Sequence, residues 1–300
     1  RINMGLLEFF HMWDDLPGFW TRLADSLDSP LTAMAATSRL MAEQVAEQVG
    51  VLPEHVPLVS LHLQGVSYEP ATDEVLIYRC RHPAFRAFRA LLGRLVAAQE
   101  PQPGHVRIVF HEDLLDALGG PLPYERLAAF RAMVLLPHVP NSGSFSDAYA
   151  MHAPLFLPAE PHIYRWMWAY SDPFAGPGGD PRKRSRAPAE LRPRAASSSA
   201  VGKVVAASHG RHPYDAFAHL EERMPVGRLA DRAYWFQFSE YAVLPVLQRF
   251  RGIADLLAQL TGLSPERATE LSRHMRAAHG RRAKEASRWL ACTLAELLTA

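Results

Sequence analysis

Residues 57–80 read PLVSLHLQGVSYEPATDEVLIYRC. Two stretches, 57–66 and 74–80, alternate in polarity and are rich in β-forming residues, with Pro-Ala-Thr-Asp between them. Two such runs around a turn predict a β-hairpin.

On both sides of this segment the apolar spacing becomes helical. Residues 4–27 carry helical periodicity broken at Pro17-Gly18, and residues 30–50 place Leu31, Met34, Leu40, Met41, Val45 and Val49 at helix-like intervals. His82-Pro83 opens a helix to about Ala98 with Phe85, Phe88, Leu92 and Leu95 on one face; proline suits a first helical turn. A short strand is expected at 105–111, then helices near 112–118 and 123–135, and a Pro/Ser/Gly loop at 137–147. An aromatic helix follows at about 160–171, and later helices at 212–223, 228–251, 253–262 and 264–298. The expected fold is mainly α: a helical bundle with a small β-hairpin element in the N-terminal half. Residues 1–300 read as a single domain with a flexible Pro/Gly/Arg/Ser-rich loop at about 176–203.

Composition narrows the classes of function. A 48% hydrophobic content supports a substantial core, and a formal net charge of +1 speaks against a generic nucleic-acid binder. Two cysteines, Cys80 and Cys292, make neither a disulfide framework nor a thiolate metal site. No apolar run reaches membrane-spanning length, and Asp14 and Asp15 interrupt what would be the apolar core of a signal peptide. A cytoplasmic protein with no nucleic-acid or membrane partner is expected. A P-loop, a dinucleotide glycine motif, Gly-x-Ser-x-Gly and His-Glu-x-x-His are all missing from the sequence.

The densest aromatic segment is 161–179, PHIYRWMWAYSDPFAGPGG. His162 enters it, Tyr164, Trp166, Trp168 and Tyr170 follow, and a glycine turn closes it. Histidine both binds iron and titrates near neutrality, and flat apolar side chains suit a planar ligand. Packed core with a capping histidine is the plainer reading of the same residues. Two further histidines precede prolines, His82 and His212, where the positive end of a helix favours neutral imidazole. His279 lies in an arginine-loaded helix, as a member of a solvated face or as an iron ligand. His209 and His212 could serve a non-haem metal, without an evident carboxylate to complete the set.

At these residues the chain resembles the haem-dependent aromatic oxygenase superfamily, which includes tryptophan and indoleamine dioxygenases, PrnB-type enzymes and bacterial haem-dependent tyrosine hydroxylases. Pro161-His162, Ala169-Tyr170 and Gly176-Pro-Gly-Gly179 are similar to its histidine and glycine-loop pattern. His-Ala-Pro-Leu-Phe-Leu at 152–157 is similar to an apolar helix start of the PrnB-type branch, and Phe236-Gln-Phe-Ser-Glu240 to a dioxygenase segment, with serine where arginine would bind a carboxylate. Arg276-Ala-Ala-His279 resembles the family's arrangement at the opposite end of the chain, so His162 and His279 are alternative axial ligands.

The resemblance implies a helical haem protein that hydroxylates a small aromatic amino acid such as tyrosine, in secondary metabolism such as antibiotic biosynthesis, using O2 or H2O2. It implies His82 as the distal acid–base group and Tyr164, Arg165 and Trp168 against the substrate; a homodimer is left open. Two readings of other classes stand beside it. One is a helical interaction or regulatory protein whose basic loop at 182–194 docks a partner and whose histidines are structural. The other is a non-haem metal enzyme.

Overall fold

In the computed structural model the described residues are 2–5, 25–26, 32–49, 52–78, 84–98, 106–137, 142–167 and 229–299. The elements in chain order begin with β1 (Ile2–Gly5), β2 (Ala33–Ala36), α1 (Arg39–Val49), β3 (Glu54–His55) and β4 (Glu74–Tyr78). Next come α2 (Ala84–Ala97), β5 (Arg107–Phe110), α3 (His111–Leu118), α4 (Tyr124–Ala128), β6 (Ala132–Leu135) and α5 (Gly143–Ala150). The remainder are β7 (Leu155–Pro158), α6 (His162–Met167), α7 (Leu229–Phe236), α8 (Glu240–Val243), β8 (Gln248–Phe250), α9 (Ile253–Thr261) and α10 (Pro265–Thr299).

The chain divides into two compact units. The first comprises residues 1–58, 171–243 and 283–300; the second comprises 59–170 and 244–282. The expected loop at 176–203 lies outside the described residues, as do the expected helix at 212–223 and most of the one at 4–27.

The first unit contains a three-stranded sheet in which β1 pairs with β2 and β2 with β3, both in parallel. Residues 33–36, expected within a helix, form the middle strand, and the helix starts only after Thr37-Ser38. The Ser38 hydroxyl accepts the Met41 amide at 3.2 Å, satisfying a donor that the first helical turn leaves without a partner.

The second unit is built on five parallel strands in the order β5-β4-β6-β7-β8. Val75, Leu76, Ile77 and Tyr78 are fully buried, as are Ala132, Met133 and Val134 of β6 and Leu155 and Leu157 of β7. Strands apolar on both faces are what a parallel sheet covered by helices requires. At the edge of the pairing, the Glu74 carboxylate accepts the Arg107 guanidinium at 2.8 Å, and these two residues are register partners.

This sheet corrects the helical-bundle expectation: the second unit is α/β. It corrects the hairpin as well. Of the two runs, only 74–78 is a strand, and both its partners are parallel and distant in sequence. Residues 57–66 leave the extended conformation at Ser60, whose φ of 43° is left-handed, and make a 3-10 turn at Leu61–Leu63. Gly65 follows at a φ of 97°, a conformation that favours glycine.

Helix α2 answers the sequence expectation at Phe85, Phe88 and Leu92, which turn inward, but Leu95, expected on the same face, is exposed together with Leu91. Replacing Leu92, which is 0% exposed, by alanine should cost about 2–5 kcal/mol. Leu91→Ala, at 50% exposure, should stay within about 0.5 kcal/mol. Urea unfolding followed by circular dichroism measures both, and equal losses would show that this helix faces the core differently.

Candidate functional site

In chain order the five strands run 2-1-3-4-5 across the sheet, because β4 carries β5 on one side and β6 on the other. The connections from β4 and from β6 therefore leave in opposite directions. In open parallel sheets the crevice at such a reversal, outside the carboxyl ends of the strands, is where ligands bind.

Aromatic side chains gather at this edge. Tyr78 ends β4, and His111 opens α3 directly after β5; their rings meet edge-on at 5.1 Å, and both are buried. Phe85 and Phe88, in the first turns of the helix after β4, stack on one another, and Phe85 meets Phe110 edge-on at 5.9 Å. The Arg89 guanidinium lies 4.4 Å over the Phe110 ring and binds both Asp113 carboxylate oxygens at 2.8 Å. Phe88 also meets Trp166 of α6 edge-on at 5.8 Å. Helix α6 follows β7, which stands two strand spacings from β4, about 10 Å away. The Phe88–Trp166 contact thus joins the helix that follows β4 to the helix that follows β7.

A polar group lies beside this aromatic set. Glu160, just after β7, accepts a short hydrogen bond from the Tyr164 hydroxyl. Burial raises the Tyr164 pKa well above its ordinary value, and the bond to the Glu160 carboxylate raises it further, so the phenol is held neutral. Arg249 of β8 is pulled down by burial, and the Glu160 charge partly restores it. A neutral phenol, a carboxylate and a guanidinium at one strand edge can orient a polar ligand and hold a proton at a defined oxygen.

The structure separates the residues that the sequence put forward. His162 is exposed at the head of α6, and Tyr164, two residues on, is buried. For Arg165 only the helical backbone is described. His82, Trp168, the 176–179 glycine turn, the basic loop at 182–194 and the His209/His212 pair lie outside the described residues. Segment 152–157, similar to a helix start, instead leads into β7.

His279 lies at the opposite edge of the sheet. Its Nε2 lies 3.1 Å from the Val59 carbonyl oxygen, which can only accept, so this nitrogen carries the proton. Its Nδ1 is then the acceptor for Nε2–H of His152, also at 3.1 Å. Both ring nitrogens are committed, and none is left for iron. His152, to which His279 is bonded, precedes β7 and His162 follows it, so the two candidate axial ligands, His279 and His162, stand toward opposite ends of one strand.

His152 was invisible as a partner because 127 residues separate it from His279. It is 9% exposed, it adopts a left-handed φ of 62°, and its Nδ1 is buried without a hydrogen-bond partner. Nearby in the chain, Asp147 of α5 accepts Ser60 Oγ at 2.8 Å and the Tyr124 hydroxyl at 3.2 Å, with His62 Nε2 at 3.3 Å. Residues 59–62 are thereby tied to three helices at the amino edge, an arrangement that supports the fold. Among the described residues no group of three or more His, Cys, Asp or Glu is placed to hold a metal ion.

Comparison with protein-family models, with curated proteins and with solved structures found no match to this chain.

The histidine pair makes a pH prediction. Burial, then His279 and then Arg276, lower the His152 pKa to about 4. Burial, with the Arg282 charge, also lowers that of His279, against the opposing effect of the Val59 carbonyl. Between about pH 6.5 and 4 the unfolded chain binds the extra protons, so stability falls as pH drops through that window. For His152 the loss between pH 7.5 and 4.5 should be on the order of 2 kcal/mol. Urea titrations at the two pH values should show a smaller loss in His152→Gln than in the wild type; an unchanged difference would mean that His152 does not titrate this way.

Proposed function

We propose that the five-stranded unit is an enzyme unit that seats a small molecule bearing an aromatic ring over the carboxyl ends of β4 and β6. The observation that carries this reading is the Phe88–Trp166 contact, which joins the helices that follow β4 and β7, the strands on either side of β6, in a parallel sheet whose order reverses between β4 and β6. Trp166, the partly exposed ring of that contact, supplies flat apolar area over the buried Phe88, and the Glu160–Tyr164–Arg249 group supplies polar contacts beside it. His162, exposed at the same edge, is the acid–base group of this reading. The ligand class retained from the sequence is a small aromatic amino acid such as tyrosine, or a related phenol or indole.

The described residues do not fit a haem. His279 has no nitrogen to offer, and His162 stands exposed at the head of a six-residue helix. The helical bundle implied by the resemblance is replaced by a parallel sheet in the second unit. No step of the proposal runs through iron.

Tryptophan fluorescence and thermal shift of the purified chain test this reading, with L-tyrosine, indole and flavin mononucleotide as probes and hemin as a separate arm. At least one ring-bearing probe should raise Tm and perturb the fluorescence. Trp166→Leu and His162→Ala should each weaken that probe about tenfold or more while remaining folded. A folded wild type that responds to no probe would contradict the reading, and so would variants that bind as tightly as the wild type. A Soret band with hemin that disappears in His162→Ala would restore the haem assignment in place of this one.

A further inference from the structure

Helix α10 runs for 35 residues, about 50 Å at 1.5 Å per residue. Between Leu271 and Arg288 it carries Arg273, Arg276, Arg281, Arg282, Lys284 and Arg288 against a single carboxylate, Glu285. The whole chain has 32 Lys+Arg and 31 Asp+Glu, so this stretch concentrates positive charge that the rest of the chain balances.

The charge is also arranged by face. At about 100° per residue, Arg273, Arg276, Arg281, Lys284 and Arg288 fall within an arc of about 140°. Leu271, Met275, Ala278 and Thr293 are buried, and the same spacing puts them on nearly the opposite side. Arg273, Arg276, Arg281, Lys284 and Arg288 are all exposed. Toward the C-terminal end, Leu290, Leu294 and Leu298 are 41%, 43% and 85% exposed. Their arc overlaps the edge of the basic one, so beyond Glu266 and Glu270, which share the basic arc, one outward face carries cationic groups from Arg273 to Arg288 and aliphatic side chains after them.

From this juxtaposition we infer that the outward face of α10 docks on an anionic lipid surface. The guanidinium and ammonium groups meet lipid phosphates and carboxylates, and the three leucines enter the headgroup region. The leucines decide between polyanions. A nucleic acid would engage the arginines but offers no apolar phase to three aliphatic side chains, whereas a lipid interface accepts both. Among the described residues no helix is long and apolar enough to cross a membrane, so α10 lies on the surface.

Co-sedimentation of the full chain with vesicles tests this, comparing phosphatidylcholine alone with phosphatidylcholine containing roughly 30% phosphatidylserine, whose carboxylates and phosphates supply a negative surface potential. Binding should require the anionic lipid and should fall steeply between about 0.1 and 0.5 M salt. The triple change Arg273→Gln, Arg276→Gln, Arg281→Gln should weaken it about 100-fold, from about fivefold per basic residue. Leu294→Ser with Leu298→Ser should weaken it about tenfold at unchanged charge. Should the triple variant lose its circular-dichroism spectrum, Lys284→Gln with Arg288→Gln provides the same readout. The inference is overturned by absence of vesicle binding, by equal binding to neutral vesicles, or by charge variants that bind like the wild type. Salt-sensitive binding to duplex DNA or RNA without vesicle binding would overturn it in favour of the other polyanion.

Discussion

The pairing of β4 with two parallel neighbours is the constraint on which the second unit depends. Parallel strands need crossover connections that return the chain to the same end of the sheet. From β4 the chain therefore passes through α2 before β5, and through α3 and α4 before β6. Covered on both faces, β4 and β6 carry apolar side chains throughout, apart from Glu74 at the start, which is paired with Arg107. Once β5 and β6 lie on opposite sides of β4, the reversal point is set, and with it the edge where α2 and α6 bring Phe88 and Trp166 together.

The two ends of this sheet carry different chemistry. At the carboxyl edge, aromatic rings stand beside the Glu160–Tyr164 bond, with Arg249 in the neighbouring strand. At the amino edge, hydrogen bonds converge on residues 59–62: His279 holds the Val59 carbonyl and Asp147 holds Ser60. Two of the left-handed residues, Ser60 and His152, lie in this second region. Such backbone conformations cost of order 1–3 kcal/mol each and persist only where the surroundings hold them. The His152–His279 relay and the Asp147 bonds supply that hold.

Some of this was legible in the sequence because the signal is local. The helices at 84–97, 253–261 and 265–299 follow apolar spacing on one face, and 107–110 follows a β-rich run. The strands at 132–135, 155–158 and 248–250 were not legible. Ala-Met-Val-Leu and Leu-Phe-Leu-Pro are four-residue apolar runs, and buried parallel strands of that length cannot be told from helix by periodicity. The pairing of β4 with partners more than twenty residues away is likewise not a local property, which is why the 57–80 segment suggested a hairpin. At the site, the aromatic character of 162–167 could be read directly, whereas the partner that occupies His279 lies on another element and could not.

Residue-resolved native-state hydrogen exchange tests the α/β account most directly. Amides of Val75–Tyr78 and Ala132–Leu135, central in the sheet, should exchange slowest and only through global unfolding. Those of β8, at the sheet edge, should exchange faster. If helical amides of residues 265–282 outlasted both central strands, and the strands exchanged like loops, the second unit would be held together as a helical bundle and the account of its sheet would be wrong.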